Sequence, residues 1–420
     1  MKIVYVILDG IGDLPHQSIN NRTPLDIART PNLDSIARNG SMGQVTTVGE
    51  GIAPQSDIAV FNMLGYDFKD TPYVGRGVVE SIGCSLEFKD GDLALRGNFA
   101  TINDDLKIID RRAGRIIDPK EAESICETLN KNIRLNDSDA SVIIIPSIAH
   151  RVTIRFRHNK IALSEQITNT DPAYDKVGGI GIAKSKITDL HVLTSQPQNS
   201  TEESKISAEI VNDFTNQVIS LTKNHLVNHS RIKRGLNPMN CILVRDAGNK
   251  VPSYVPIKQK YGLNTACVVD MPVEIGISKI LGMDMIKAGD INDYANKAKI
   301  TIQNLIKYDL IYVHIKGPDE FGHDGDAKGK QKNIEEIDKH FFGNLVNELR
   351  TDNIVLIVSG DHSTPCIKKS HTDDPVPLLI SGNNIQKDGS KRFTENFARE
   401  GSIGTIMGAK VLTTAIKMAN

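Results

Sequence analysis

At 420 residues the chain is too long for one ordinary core, and two domains are expected. Hydrophobic residues make up 39% and charged residues 24%, and 50 Lys and Arg against 51 Asp and Glu leave a formal charge of −1. That near-neutrality gives no support for a nucleic-acid or membrane partner, although it leaves room for a local basic pocket that takes a small anion. The cysteines Cys84, Cys126, Cys241, Cys267 and Cys366 contain no Cys-x-x-Cys pair, which argues against a thiolate zinc site or a redox dithiol and for reduced thiols. The N-terminal apolar run Ile3–Leu8 is short and ends at Asp9-Gly10, so it does not read as a signal peptide. No stretch approaches the ~20 apolar residues of a membrane span. The cytoplasm is the expected compartment.

In chain order, Lys2–Leu8 reads as a strand rich in β-branched residues and buried on both faces, followed by a helix over Ile27–Ala37 and another over Ile58–Leu64. From about Gly75 to about Lys250 the pattern changes. Strands are expected at Leu93–Ile102, Ser141–Pro146, Arg151–Arg157 and Cys241–Val244, with a long helix over Ser204–Leu226. Arg151–Arg157 alternates basic and apolar residues, as a half-exposed strand would. The first pattern then resumes, with helices at Tyr294–Ile306 and Lys330–Leu349 between strands at Leu310–Ile315, Ile354–Val358 and Pro377–Ile380. Ser200–Ser204 and Asn383–Lys391 read as polar loops. The alternation implies an α/β fold whose mostly parallel sheet is covered by helices on both faces. A smaller α+β domain at 75–250 is inserted into a domain made of 1–74 and 251–420.

Asp9, Asp319, Asp361 and His362 follow the carboxyl ends of expected strands, the edge at which open α/β sheets bind ligands. Any one of them could simply begin a turn or cap a helix. Together with His323 and His371 they supply three carboxylates and three imidazoles, a mixed set that suits zinc or manganese better than calcium. Asp319 and His323 are four residues apart, which places them on one face of a helical turn. Asp361 and His362 are adjacent, and a turn just past a strand can direct both to one place. Ser56, in Pro54-Gln55-Ser56-Asp57, precedes a helical pattern and reads either as an N-cap or as a nucleophile next to a metal and a helix N-terminus. Gly178-Gly179-Ile180-Gly181 lacks the spacing of a nucleotide-binding loop.

In order and context, Leu8-Asp9-Gly10, the Ser56 segment, Asp319 with His323, Asp361-His362 and His371 resemble the alkaline-phosphatase-like metalloenzymes. Further segments are similar to the archaeal-type 2,3-bisphosphoglycerate-independent phosphoglycerate mutases over nearly the full length: Gly97–Thr101, Asp110–Arg115, Asn169–Pro172 and Ser359–Pro365. The resemblance implies an alkaline-phosphatase-like catalytic domain with a substrate-binding lid. It implies an isomerase of glycolysis and gluconeogenesis that interconverts 3-phosphoglycerate and 2-phosphoglycerate through a phosphoserine at Ser56, without a bisphosphoglycerate primer. One divalent ion would be held by Asp9, Ser56, Asp361 and His362, and a second by Asp319, His323 and His371. Manganese, zinc or cobalt is expected, with magnesium as an alternative. Arg111, Arg112, Arg115, His150, Arg151, Asp171 and Arg245 match substrate-binding positions, with Asp171 or His150 a candidate to move protons on the glycerate hydroxyls.

The chain departs from the family pattern at Arg245-Asp246, where glycine usually follows the arginine, and at Lys287–Asp290. The nearest alternatives are a metal-dependent phosphatase or a phosphomutase acting on another substrate such as a pentose phosphate. A sulfatase would need a nucleophile pattern that is absent around Ser56, and a non-catalytic metal-binding protein would have little use for Ser56. Composition leaves the oligomeric state open.

Overall fold

The computed structural model describes residues 1–420 apart from 71, 178–179, 185–188 and 347–353, so the first two glycines of the Gly178–Gly181 run and the end of the helical pattern to Leu349 lie outside the described residues. The chain divides into two compact units, one of 1–72, 254–270 and 281–420, the other of 73–253 and 271–280.

The first unit is built on an eight-stranded sheet among the described residues, ordered Asp284–Met285, Thr265–Val268, Leu310–Ile315, Lys2–Leu8, Ile354–Gly360, Val376–Ser381, Gly40–Thr46 and Gly404–Met407. Every neighbouring pair is parallel except the two that involve Val376–Ser381, which runs against both its neighbours. Its Ser381-Gly382 end therefore lies at the edge opposite the other strand ends. Lys2–Leu8 sits between Leu310–Ile315 and Ile354–Gly360, with Leu8 in register with both Ile315 and Gly360. All three strands are buried on both faces, because Val4, Val6 and Leu8 pack with Ile311, Val313, Leu356 and Val358 into one core. Leu33, Ile36, Ala298, Ile334 and Ile337, from helices Pro31–Ala37, Tyr294–Asn304 and Ala327–Ile337, join the same cluster. On the alternate positions Tyr5 meets Tyr312 edge to face and donates its hydroxyl to Met63 O at the end of helix Ser56–Met63. Each fully buried aliphatic side chain contributes about 1.5–3 kcal/mol, so the loops that leave this strand trio start from a rigid base.

Two expected helices are interrupted. Ile27–Ala37 is split into Pro24–Ile27 and Pro31–Ala37, because proline excludes the helical conformation from the residue before it and Ala28 is extended. The pattern from Lys330 continues through a π turn at Asp338–Phe342, where Asp338 Oδ1 accepts from Leu33 N at the start of helix Pro31–Ala37.

The second unit has an antiparallel sheet centred on Leu93–Ile102, which pairs with Ile108–Asp110, Arg151–His158 and Cys241–Gly248, while Ala140–Pro146 pairs with Arg151–His158. Helices Pro119–Asn132 and Glu202–Lys223 cover it, with Ile125, Leu129, Phe214 and Val218 against Leu95, Ile154, Phe156 and Val244. Arg151–His158 is therefore not half-exposed: Val152 through Phe156 are all buried, Thr153 and Arg155 included. Helix Pro272–Ile280 belongs to this unit rather than to the segment 251–420. It packs on helix Arg76–Gly83 so closely that a Cβ at Gly276 would lie 2.0 Å from Val79 O.

Among the described residues, Arg231 is the largest fully buried side chain. It donates to Glu121 Oε2 at 2.5 Å, Asn237 O at 2.8 Å, Ala113 O at 3.0 Å and Ile116 O at 3.1 Å, tying two helices to the segment that carries Arg111, Arg112 and Arg115. Removing one partner of a buried pair leaves the other uncompensated. Arg231→Met is expected to cost about 3–5 kcal/mol in urea unfolding, and a loss below about 1 kcal/mol would contradict this account of the unit's stability.

Candidate metal centre and basic cluster

The ends of the three central parallel strands deliver the first group of side chains. Asp9 follows Lys2–Leu8, Asp361 and His362 follow Ile354–Gly360, and Asp319 lies on helix Pro318–Asp324 just after Leu310–Ile315. The turn at Gly10 has φ +61°, and a Cβ there would lie 2.8 Å from the Asp319 Cα. Glycine thus lets the two loops close up, and Gly10 N donates to Asp361 Oδ1 at 3.0 Å.

His362 Nε2 is the hub. It lies 3.2 Å from Ser56 Oγ, 3.3 Å from Asp361 Oδ2 and 3.4 Å from Asp9 Oδ1. Beside it, His323 Nε2 lies 3.5 Å from Asp319 Oδ2, His371 Nε2 lies 3.4 Å from Asp319 Oδ1, and the two Nε2 atoms are 3.2 Å apart. The seven residues expected to hold metal are thus brought together as two adjoining groups. Ser56 is the first residue of its helix, with Gln55 at the cap position, so its hydroxyl is not spent on capping. The adjacency of Asp361 and His362 is resolved by the turn after the strand, which directs Asp361 Oδ2 and His362 Nε2 together.

The hydrogen-bond network assigns the tautomers. Thr364 Oγ1 donates to Asp319 Oδ1 at 2.6 Å and so accepts from His362 Nδ1 at 3.0 Å. His323 Nδ1 donates to Lys369 O at 3.1 Å and His371 Nδ1 to Pro54 O at 2.7 Å. All three imidazoles therefore turn Nε2 inward, the arrangement that orients metal-ligating histidines. Among the described residues, the buried Asp9 Oδ1 and Asp361 Oδ2 have no hydrogen-bond partner. Inward Nε2 atoms facing orphaned carboxylate oxygens fit divalent cations, and Asp319, His323 and His371 form one possible ligand group while Asp9, Asp319 and His362 form another.

Without such cations, protons and a lysine balance the charge. Burial and Asp9 push Asp361 up to about 7. Burial also opposes ionisation of Asp9, yet Lys316 and His314 hold it well below the usual carboxylate range. Burial and His371 keep His362 neutral. His371 itself is raised to about 9, against its burial, by its contact with Asp319.

Sequence reasoning missed His314 and Lys316. Lys316 Nζ lies 2.9 Å from Asp9 Oδ2 and 3.2 Å from His314 Nε2. Both residues stand at the end of a central strand, so the strand-end rule that picked out Asp9 would have found them; a histidine inside an apolar run reads instead as core. It also missed Lys330, fully buried, whose Nζ binds Asp13 Oδ2 at 2.9 Å, Thr364 O at 3.0 Å and Gly12 O at 3.1 Å and so fastens the loop after Asp9 to the loop after His362.

The remaining expected site residues lie in the second unit. Arg111 binds the fully buried Asp171 through two bonds, at 3.0 and 2.7 Å, and Arg245 adds a third at 3.1 Å. With Ala173 N as a further donor at 3.1 Å, Asp171 is committed to orienting two guanidiniums, which leaves it poorly placed to carry protons. Arg245 and Arg111 also lie over the Tyr174 ring at 4.3 and 5.3 Å. Glu80 binds Arg76 at 2.9 Å and Arg96 at 3.3 Å. Burial and the surrounding Arg151, Arg112, Arg96 and Arg245 push His150 down to about 2, which favours its neutral form. Burial lowers Arg112 as well, and the adjoining Arg115 and Arg111 add to that. Asp246 adopts φ +61°, a left-handed conformation that glycine takes without cost and that aspartate tolerates. This cluster is rich in arginine and short of acids.

Comparisons with known proteins identify the family. The family described as 2,3-bisphosphoglycerate-independent phosphoglycerate mutase matches residues 37–228. A protein of that name from Aeropyrum pernix is 40% identical over 97% of both chains, and one from Methanosphaera stadtmanae is 39% identical over 98% of this chain and 96% of its own. The solved structure of a Pyrococcus horikoshii protein is similar with a TM-score of 0.78 at 28% identity, covering 100% of this chain and 97% of that one. The cofactor-independent phosphoglycerate mutase of Thermoplasma acidophilum matches with a TM-score of 0.62 at 28% identity over the whole of both chains. Identity at this level along the full length shows that the chain belongs to the 2,3-bisphosphoglycerate-independent phosphoglycerate mutase family.

Proposed function

We propose that this chain is an isomerase that interconverts 3-phosphoglycerate and 2-phosphoglycerate in the cytoplasm, serving glycolysis and gluconeogenesis, through a phosphoserine at Ser56 and with no bisphosphoglycerate. The observation that carries this reading is the Ser56 hydroxyl, which is free of any capping role and lies 3.2 Å from His362 Nε2 beside the carboxylates. The shared name of the relatives supports the reaction.

Asp9, Ser56, Asp361 and His362 would hold one divalent ion in this reading, and Asp319, His323 and His371 would hold the other; manganese, zinc or cobalt suits the mixed oxygen and nitrogen donors, and magnesium suits them less well. The two ions would acidify the serine hydroxyl and neutralise phosphate charge. In the first half-reaction Ser56 Oγ loses its proton and bonds to phosphorus, the bond from phosphorus to the 3-oxygen of glycerate breaks, and that oxygen takes up a proton. In the second, the 2-hydroxyl of the retained glycerate loses its proton and attacks the same phosphorus, the Oγ–P bond breaks, and Ser56 Oγ takes up a proton. The helix N-terminus at Ser56 favours the anion throughout.

Isomerisation requires that glycerate stay and water stay out between the two halves. The inserted domain serves as the lid in this reading, and Arg111, Arg112, Arg115, His150, Arg151 and Arg245 bind the substrate, with Asp171 orienting Arg111 and Arg245. Guanidinium groups suit both carboxylate and phosphate. A metal-dependent phosphatase, or a phosphomutase for a pentose phosphate, would keep the same ligands and change these contacts. The acid at Asp246, 3.5 Å from Arg245 Nε, is the observation that favours keeping that second reading.

Ser56→Ala should lower turnover by about a thousandfold or more while the protein still binds metal; a variant that isomerises at the normal rate would remove Ser56 as nucleophile. Exhaustive EDTA treatment should silence the enzyme, and Mn²⁺, Co²⁺ or Zn²⁺ should restore it, whereas activity that survives chelation contradicts the metal assignment. Arg112→Ala should raise the ratio of phosphate released to phosphate transferred, and a flat ratio would show that Arg112 does not help retain glycerate.

A further inference from the structure

Lys316 is a cation in a place that is already to receive cations. Its side chain is 12% exposed, and its ammonium sits 2.9 Å from Asp9 Oδ2. The other oxygen of the same carboxylate, Oδ1, is the one turned toward His362 Nε2 at 3.4 Å and left without a hydrogen bond. Asp9 can therefore serve a metal ion through one oxygen while Lys316 keeps the other. His314 fixes this arrangement. It is fully buried, its Nδ1 is 2.7 Å from the Tyr312 hydroxyl, and its Nε2 accepts from Lys316 at 3.2 Å. Tyr294 donates to the Lys316 carbonyl at 3.0 Å and pins the backbone at the end of the strand.

An ammonium held next to two dications is repelled by them unless an anion joins the group. Formal charges say which anion. Two dications and one ammonium set against Asp9, Asp319 and Asp361 leave a surplus of two positive charges, which a phosphate dianion cancels. Without the lysine, one negative charge of that dianion would go unmatched. Lysine binds phosphate as a point charge on a flexible stem, and a single carboxylate separates Lys316 from the hub at His362.

We propose that Lys316 binds the phosphoryl group at Ser56, with His314 positioning its ammonium. The inference rests on the reading of Ser56 as the residue that takes the phosphoryl group. It has a signature that a merely structural lysine would not give: removing it relieves competition for Asp9 and so tightens metal binding, while it weakens the hold on phosphate.

The test measures binding, so it needs no turnover. Lys316→Met and wild type are titrated with Mn²⁺ and then, metal-loaded, with inorganic phosphate, both by calorimetry. The variant should take up as many ions as wild type, several-fold more tightly, and should bind phosphate about tenfold or more weakly. Phosphate affinity equal to that of wild type overturns the proposal, as does a loaded wild type that binds no phosphate. Should Lys316→Met not fold, Lys316→Gln carries the same measurement. A wild type that binds phosphate but fails to isomerise, with the variant binding phosphate more weakly, would overturn the mutase reading and leave the Lys316 assignment standing. Normal isomerisation with unchanged phosphate affinity in the variant would do the reverse.

Discussion

Three carboxylates delivered by neighbouring parallel strands to one end of a sheet must be given positive charge, and the first unit is arranged around that demand. Candidate ligand atoms of Asp9, Asp319 and His362 lie within 4.8 Å of one another. At that distance two like charges in a partly buried site repel by about 3 kcal/mol. The chain meets the demand in layers. Lys316 answers Asp9, a proton on His371 answers Asp319, and Asp361 is pushed up to about 7, toward its neutral form. Protons thus stand where divalent ions would go, and metal binding is coupled to proton release. The sheet makes the crowding unavoidable, because Leu8, Ile315 and Gly360 end in register. Gly10 and Lys330 then draw the loops together rather than letting them splay apart.

The second unit poses the opposite electrostatic problem. Arg76, Arg96, Arg111, Arg112, Arg151 and Arg245 influence one another and His150, with Glu80, Asp171 and Asp246 as their paired acids. The surplus is positive. Neither surplus is visible in a chain whose formal charge is −1.

The sheet and its chemistry were legible in the sequence to different depths. Asp9, Asp319 and Asp361 could be read because each follows a short run rich in β-branched residues, and a strand end is the one place in such a fold where an acid is more than a turn former. His323 followed from helical spacing. His371 lies in a loop with no periodic pattern; its closeness in sequence to Asp361-His362 put it in the candidate set, and the family resemblance gave it a place in the second group. His314 and Lys316 went unread because a histidine between Val313 and Ile315 looks like packing, and its neighbours become visible only once the register with Ile7 is known. Elsewhere tertiary context overrode local pattern. Alternation in Arg151–Arg157 suggests one wet face, but Arg155 is buried and Arg157 is bound by Asp92 at 2.7 Å. The membership of helix Pro272–Ile280 depends on a glycine-to-backbone approach across almost two hundred residues, which no local signal carries.

The central claim is that this arrangement moves a phosphoryl group between two hydroxyls of one glycerate. An enolase-coupled assay on purified protein tests it most directly, with 3-phosphoglycerate and Mn²⁺ and with bisphosphoglycerate rigorously absent. Steady formation of 2-phosphoglycerate is the expected result. Metal-dependent release of inorganic phosphate with no 2-phosphoglycerate would contradict the mutase and recast the same centre as that of a phosphatase.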